Sequence, residues 1–321
     1  MRLMTFYACG ARRIGVAVDD AVVDLRAAYT LYRTARGDAP APALAAALFP
    51  DDLVPFIANG DESRTAAQAA LSWAVERRDH WPQLQTPAGE PVAHRLEDVT
   101  YAPPVVRPGK VLGIGVNYRD HAAETGRQPP AEPVFFNKFA TSLVGHRGAI
   151  VHPGPSVTAK LDYEGELAVV IGRPARHVPE VDALRHVFGY TVFNDVSARD
   201  LQYRDGQFVK GKGLDGFAPM GPWIVTADEV PDPQALSIRL TLNGRTMQAG
   251  RTGDMIFSVA QLISYLSRLM TLEPGDVIAT GTPAGVGTAR KPPVYLEPGD
   301  VVAVEIEGIG RLENPVVSAG G

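Results

Sequence analysis

A chain of 321 residues, 45% of them hydrophobic, is long enough for two domains and can bury a sizeable core. Its net charge of -5 comes from acids and bases interspersed along the chain, which excludes the basic stripe or block that nucleic acid or an anionic membrane surface requires. Cys9 is the only cysteine, which excludes an intramolecular disulfide and any thiolate metal cluster; a small-molecule partner in a reducing cytoplasm is the expectation.

The amino terminus, MRLMTFYACGARRIGVAV, has charges interrupting its apolar residues, and no later stretch approaches the roughly 20 apolar residues of a membrane span, so a soluble, unprocessed chain is expected. Residues 2 to 25 predict three short strands, RLMTFYA, RIGVAV and AVVDL, punctuated by Cys-Gly-Ala and Asp-Asp. Asp61 is placed to cap a helix whose Ala66, Ala69, Ala70, Trp73 and Ala74 share one face, ending near Asp79. The segment PQLQTPAGEPVAH, 82 to 94, carries three prolines and no periodicity. We place a domain boundary just after it, dividing the chain into a smaller α+β domain, residues 1–100, and a larger domain, residues 101–321.

The larger domain is dominated by short β-type runs: KVLGIGV, ELAVVIG, VFGYTVFNDV, PWIVT, SIRLTLNG, DVIATG and DVVAVEIEG. Glycine and proline turns separate them, with little room for regular crossover helices, so the fold class is α+β and β-rich. One helix is clear between Ser258 and Met270, where Val259, Leu262, Ile263, Leu266 and Leu269 trace an apolar stripe. The hexapeptide LEPGDV occurs twice, at 272 to 277 and 296 to 301, each time placing Pro-Gly at the centre of a type II turn before a strand.

Three segments hold the residue types that chemistry needs. In DYEGELAVV, Glu164 and Glu166 sit two apart, a spacing that aims both carboxylates at one face of a strand. Asp195, ending the strand of VFNDVSARD, would complete an all-oxygen shell suited to Mg²⁺ or Mn²⁺, with Ca²⁺ a third option. The same spacing also fits a half-exposed strand with Asp195 capping a turn. In GIGVNYRDHAAE, a helix from Tyr118 onward puts His121 and Glu124 on one face, where the carboxylate can orient an imidazole as a general base; a solvated helix start with an incidental histidine is the plainer reading. FVKGKGLDGFAPMGPW sets two lysines about Gly211 in a glycine-rich loop flexible enough to send one inward, or simply exposed. Gly113 and Gly115 lack the third glycine of a dinucleotide site, and ATGTPAGVG lacks the GK[ST] ending of a phosphate loop, although its Thr280, Thr282 and backbone amides could hold a carboxylate.

Taken in order and spacing, GIGVNYRDHAAE, FFNKFATSLVG, DYEGELAVVIG, FNDVSARDLQ, KGKGLDGFAPMGPW and TGDMIFSVAQLISYLSRLMTLEPGDVIATGTPAGVG resemble the fumarylacetoacetate hydrolase family across residues 105 to 318. The first 100 residues match it only as a variable amino-terminal domain. The resemblance implies a mixed β-sandwich roll, a homodimer, and a Mg²⁺ or Mn²⁺ site matched by Glu164, Glu166 and Asp195. It implies a catalytic pair on a mobile lid matched by His121 and Glu124, a catalytic lysine matched by Lys212, and substrate contacts matched by Lys138, Gln202 and Thr282. Gly213 and Leu214 stand where Ser and Phe are common in the family.

The function expected on this basis is metal-dependent hydrolysis of a carbon–carbon bond in an acylpyruvate or other β-diketo acid, in the catabolism of aromatic compounds or related 2-oxo acids. The alternative keeps the site and changes the reaction, to an isomerase or decarboxylase of 2-oxo diacids or a sugar-acid dehydratase. A silent metal-binding relative is disfavoured because every expected catalytic residue type is present. Phe135, Tyr203 and Phe217 are candidates for the distal part of the substrate pocket.

Overall fold

The computed structural model describes residues 1–38 and 41–319. Its centre is a mixed twelve-stranded sheet. The main path runs Ala93–Arg95, Ala21–Asp24, Ala11–Val18, Arg2–Ala8, Ala218–Thr226, Val187–Asn194, Gly165–Ile171, Val277–Ala279, Val111–Gly115 and Val134–Lys138. Most pairs are antiparallel; Val277–Ala279 runs parallel to Val111–Gly115, which makes the sheet mixed. A five-stranded sheet, Arg245–Arg251, Ser237–Leu242, Val301–Ile306, Gly310–Ser318 and Ile150–His152, packs on one face. The architecture is therefore α+β and β-rich, as the run of short strands predicts.

The strand Gly165–Ile171 explains the layering. Every residue in it is buried. Leu167, Val169 and Ile171 enter the core shared with Leu240, Val304 and Leu312 of the second sheet. Ala168 and Val170 point the other way, into a core built with Phe56, Ala67 and Ala70 of the amino-terminal helices and with Phe49 between two of them. A strand covered on both faces reads as a continuous apolar run rather than an alternating one.

The amino-terminal strands fall where the turn residues put them, at Arg2–Ala8, Ala11–Val18 and Ala21–Asp24. They form an antiparallel meander whose first strand pairs Arg2 with Val225 and Leu3 with Ile224, so the sheet is continuous across the region of residue 100. The helix Asp61–Val75 differs in its ends: Gly60, at φ 62°, is the cap, Asp61 opens the first turn, and a separate 3₁₀ turn, Arg78–Gln83, follows. The helix Val259–Leu269 starts at a capping box, Ser258 with Gln261; four of its five stripe residues are buried and Leu269 emerges at the last turn. Both LEPGDV turns use their glycine at positive φ, 88° at Gly275 and 101° at Gly299. In each, the following aspartate accepts from the preceding glutamate's N–H at 2.8 Å. No helix among the described residues is long and apolar enough to cross a membrane.

Candidate active site

The antiparallel register that sets Gly165 opposite Asn194 brings the ends of two strands together, and Asp195 N–H donates to the Glu164 carbonyl at 2.8 Å. Glu164, Glu166 and Asp195 converge there, each offering a carboxylate oxygen within 4.8 Å of the other two. All three are buried. Like charges so placed repel, and burial raises the cost of each.

Three buried cations answer them. Lys212 Nζ donates to Glu164 at 3.0 Å, to Asp195 at 2.6 Å and to Ser197 Oγ at 2.8 Å. Lys138 donates to Asp195 and to the Val196 carbonyl. Arg199 donates to Glu164 at 2.6 Å, to Asp162 at 2.8 Å and to Gln202 Oε1 at 3.0 Å. Burial alone would raise the Glu164 carboxyl, but the charges of Lys212 and Arg199 overcome it and hold the group below the usual carboxylate range. Burial, with Asp195 and Glu164 as like-charged neighbours, pushes Glu166 well above that range. Burial likewise lowers Lys138, which Asp195 only partly offsets, whereas Asp195 and Glu164 together outweigh burial at Lys212 and raise it.

Glu166 is the least satisfied of the set. Its Oε2 accepts from the Gly281 N–H at 2.8 Å, while its Oε1 is buried with no partner. A partnerless carboxylate oxygen beside two further carboxylates is the donor set that a hard divalent cation completes. The residues present fit Mg²⁺ or Mn²⁺, which all-oxygen ligands do not separate.

His121 sits on the short helix Arg119–Glu124 that Tyr118 opens. Its Nδ1 meets Glu124 Oε1 at 2.8 Å, which fixes the ring and leaves Nε2 for the pocket. The other Glu124 oxygen accepts from the Gly285 N–H at 2.8 Å, and Asp120 accepts from the Ala284 N–H at 3.2 Å. Two carboxylates thus dock this helix on the loop after Val277–Ala279. Thr282 in that loop donates to the Gly165 carbonyl at 2.9 Å and accepts from Gln248 at 2.7 Å. Gln202 and Thr282 both line the pocket; Lys138 lies behind it, against Asp195.

The lysine loop departs from expectation. Val209–Lys212 is a turn of helix rather than a flexible loop, with Lys212 buried at its end and Lys210 outside, paired with Asp205. Gly211 serves close approach: a Cβ there would lie 2.6 Å from both Ala198 O and Gln202 N. Lys212 reaches the carboxylates because the turn is pressed against Arg199–Gln202.

The pocket wall includes His121, Arg127, Phe136, Glu164, Tyr203 and Phe208, and about 20 Å³ of free interior remains, room for roughly one water. Of the three distal candidates, Tyr203 lines it. Phe217 is buried in the core, and Phe135 packs against it because alternation along Val134–Lys138 turns Phe136 rather than Phe135 to the pocket. Arg199, Asp162, Gln248 and Arg127 escaped the sequence reading. Asp162, fully buried, accepts from Gly287 N, Thr288 N and Arg199 and ties the site to that loop. The only sequence signal for Arg199 is its place in VSARDLQ, four residues after Asp195.

The chain is similar to several known proteins. An oxaloacetate tautomerase of Bacillus subtilis (strain 168) is 43% identical over 270 residues, 83% of this chain and 87% of its own length. A mitochondrial oxaloacetate tautomerase of Homo sapiens is 44% identical over 270 residues, 84% of this chain and 80% of its own. The crystal structure of maleylpyruvate hydrolase from Sphingobium sp. SYK-6, in complex with manganese(II) ion and pyruvate, superposes with a TM-score of 0.73 at 30% identity, covering 99% of this chain and 100% of that one. Residues 110–317 match the family described as fumarylacetoacetate (FAA) hydrolase C-terminal, and the chain belongs to that family.

Proposed function

We propose that this protein interconverts the enol and keto forms of oxaloacetate, or of a closely similar short 2-oxo diacid, at the pocket between His121 and the carboxylate cluster. The observation that carries this reading is the match to two oxaloacetate tautomerases over 83% and 84% of the chain, beyond the catalytic region alone. The site chemistry agrees with it. Tautomerisation moves one proton between carbon and oxygen and consumes no water, so a single oriented base in a tight pocket suffices. Glu164, Glu166 and Asp195 would hold Mg²⁺ or Mn²⁺, which when bound supplies positive charge to the 2-oxo acid end of the substrate.

In this reading His121 Nε2 exchanges the proton at C3 of the diacid, and Glu124 keeps Nδ1–H directed away from the substrate. Lys212 adds positive charge where the enolate oxygen gains negative charge. Gln202 and Thr282 offer polar contacts to the substrate carboxylate, and Lys138 holds Asp195 in place. With the helix Arg119–Glu124 docked there is too little space for a diacid to enter, so that segment acts as the lid and opens for exchange. We retain the division near residue 100 as part of the proposal, with the strands of residues 1–100 extending the sheet and their helices covering the face opposite the second sheet.

The second reading, hydrolysis of an acylpyruvate, is favoured by the maleylpyruvate hydrolase likeness. It requires His121 to take a proton from water and space for an acyl group. The two are separated by adding the Mg²⁺-loaded protein to freshly dissolved enol oxaloacetate and following the loss of enol absorbance, then repeating with an acylpyruvate. Accelerated enol decay that disappears in His121→Ala supports the tautomerase. No acceleration, with pyruvate and a carboxylic acid released from the acylpyruvate, replaces it with the hydrolase.

A further inference from the structure

Three of the cations around the pocket are already committed, Lys138 to Asp195, Lys212 to Glu164 and Asp195, and Arg199 to Asp162 and Glu164. Arg127 is different. It lines the same pocket, and among the described residues its guanidinium has no carboxylate partner and makes no hydrogen bond. What holds it is aromatic: the guanidinium lies 5.5 Å from the Tyr203 ring centroid and 5.7 Å from that of Phe208.

Cation–π contacts of this kind hold the guanidinium in place without using its five N–H donors. A cation held in place with its donors unspent is prepared for a planar anion and loses little freedom when one binds. Arg127 is also chained to the base. It follows the helix Arg119–Glu124 through Gly126, at φ 66°, and its own N–H donates to the Ala122 carbonyl at 2.9 Å.

We propose that Arg127 binds the distal carboxylate of a short 2-oxo dicarboxylate whose 2-oxo acid end faces Glu164, Glu166 and Asp195. Arg127 is then the residue that selects diacids over monoacids, and through it the far end of the ligand bears on the lid segment. The inference rests on the tautomerase reading for its substrate class, but the contact itself is tested by binding alone.

The probes are malate and lactate, unreactive 2-hydroxy acids that differ by one carboxylate, titrated calorimetrically into the Mg²⁺-loaded full chain. Wild type should prefer malate by about 10- to 100-fold, the worth of a charge-assisted pair. Arg127→Met, which keeps the apolar stem against the two rings, should lose that preference while binding lactate within about threefold of wild type. Arg127→Lys should keep part of it. Malate preference retained in Arg127→Met overturns the proposal. So does equal loss of both ligands in that variant, which marks a packing role, and so does a wild type with no preference. If enol decay is not accelerated by wild type but malate preference depends on Arg127, the tautomerase reading falls and the diacid contact stands.

Discussion

Glu124 offers the sharpest test of how the base is oriented. Its two oxygens have separate tasks, one toward His121 Nδ1 and one accepting from Gly285 N–H, each at 2.8 Å. Glu124→Gln preserves shape but has one acceptor oxygen. If that oxygen stays on Gly285, the amide N–H₂ faces Nδ1, the ring proton moves to Nε2, and the pocket nitrogen becomes a donor instead of a base. If it stays on His121, two N–H groups confront each other at Gly285 and the helix undocks. Either arrangement gives up a charge-assisted hydrogen bond of the carboxylate, about 1.5–3 kcal/mol, so kcat/KM should fall about 10- to 100-fold. The assay is enol decay of oxaloacetate at saturating Mg²⁺, with circular dichroism to verify the fold. A Glu124→Gln protein within threefold of wild type would refute the assignment of Glu124 as the group that orients His121.

Three further outcomes are expected. Glu166→Gln replaces the carboxylate with the partnerless oxygen, and Mn²⁺ affinity, read from the free-ion paramagnetic resonance signal, should weaken at least about 10-fold; unchanged affinity would remove Glu166 from the ligand set. Gly211→Ala pushes a methyl group to 2.6 Å from two backbone atoms, so the Val209–Lys212 turn must shift, costing about 1–3 kcal/mol in urea unfolding together with activity; an unchanged midpoint would contradict the close approach. Asp24, the buried cap of Leu25–Thr34, is raised from 3.8 to about 6, chiefly by burial, against the pull of the Ala27 N–H and Arg13. A raised folded-state value means its contribution is complete below about pH 4 and is lost as pH rises through about 6, a loss of up to ~3 kcal/mol. Asp24→Asn should abolish that slope and gain stability at pH 7; parallel stability curves from pH 4 to 7 would refute it.

What was legible in the sequence was local. GELAVVI reads as a strand because its apolar run is short, continuous and rich in β-branched residues, and the capping box of Ser258 and Gln261 marks its helix in four residues. The spacing of Glu164 and Glu166 raises the metal question, and the structure sets Asp195 beside them. What was not legible depends on partners far along the chain. Arg199 meets Asp162 from 37 residues away, and Arg127 acquires its aromatic support from Tyr203 and Phe208, two segments that no periodicity connects to it. Lys212 shows the opposite failure. Glycine beside lysine suggests mobility, whereas Gly211 is there because nothing larger fits between two turns.

The strand Gly165–Ile171 belongs to two cores at once, with Leu167, Val169 and Ile171 on one side and Ala168 and Val170 on the other. Neither half of the molecule can melt without stripping a face from that strand, so the two cores form one cooperative unit and the chain should unfold in a single transition. Because the carboxylate cluster stands at the end of the same strand, any ion or diacid bound there raises the stability of the helices of residues 41–75 as much as that of the second sheet. Residues that never touch a ligand are in this way thermodynamic reporters of its binding.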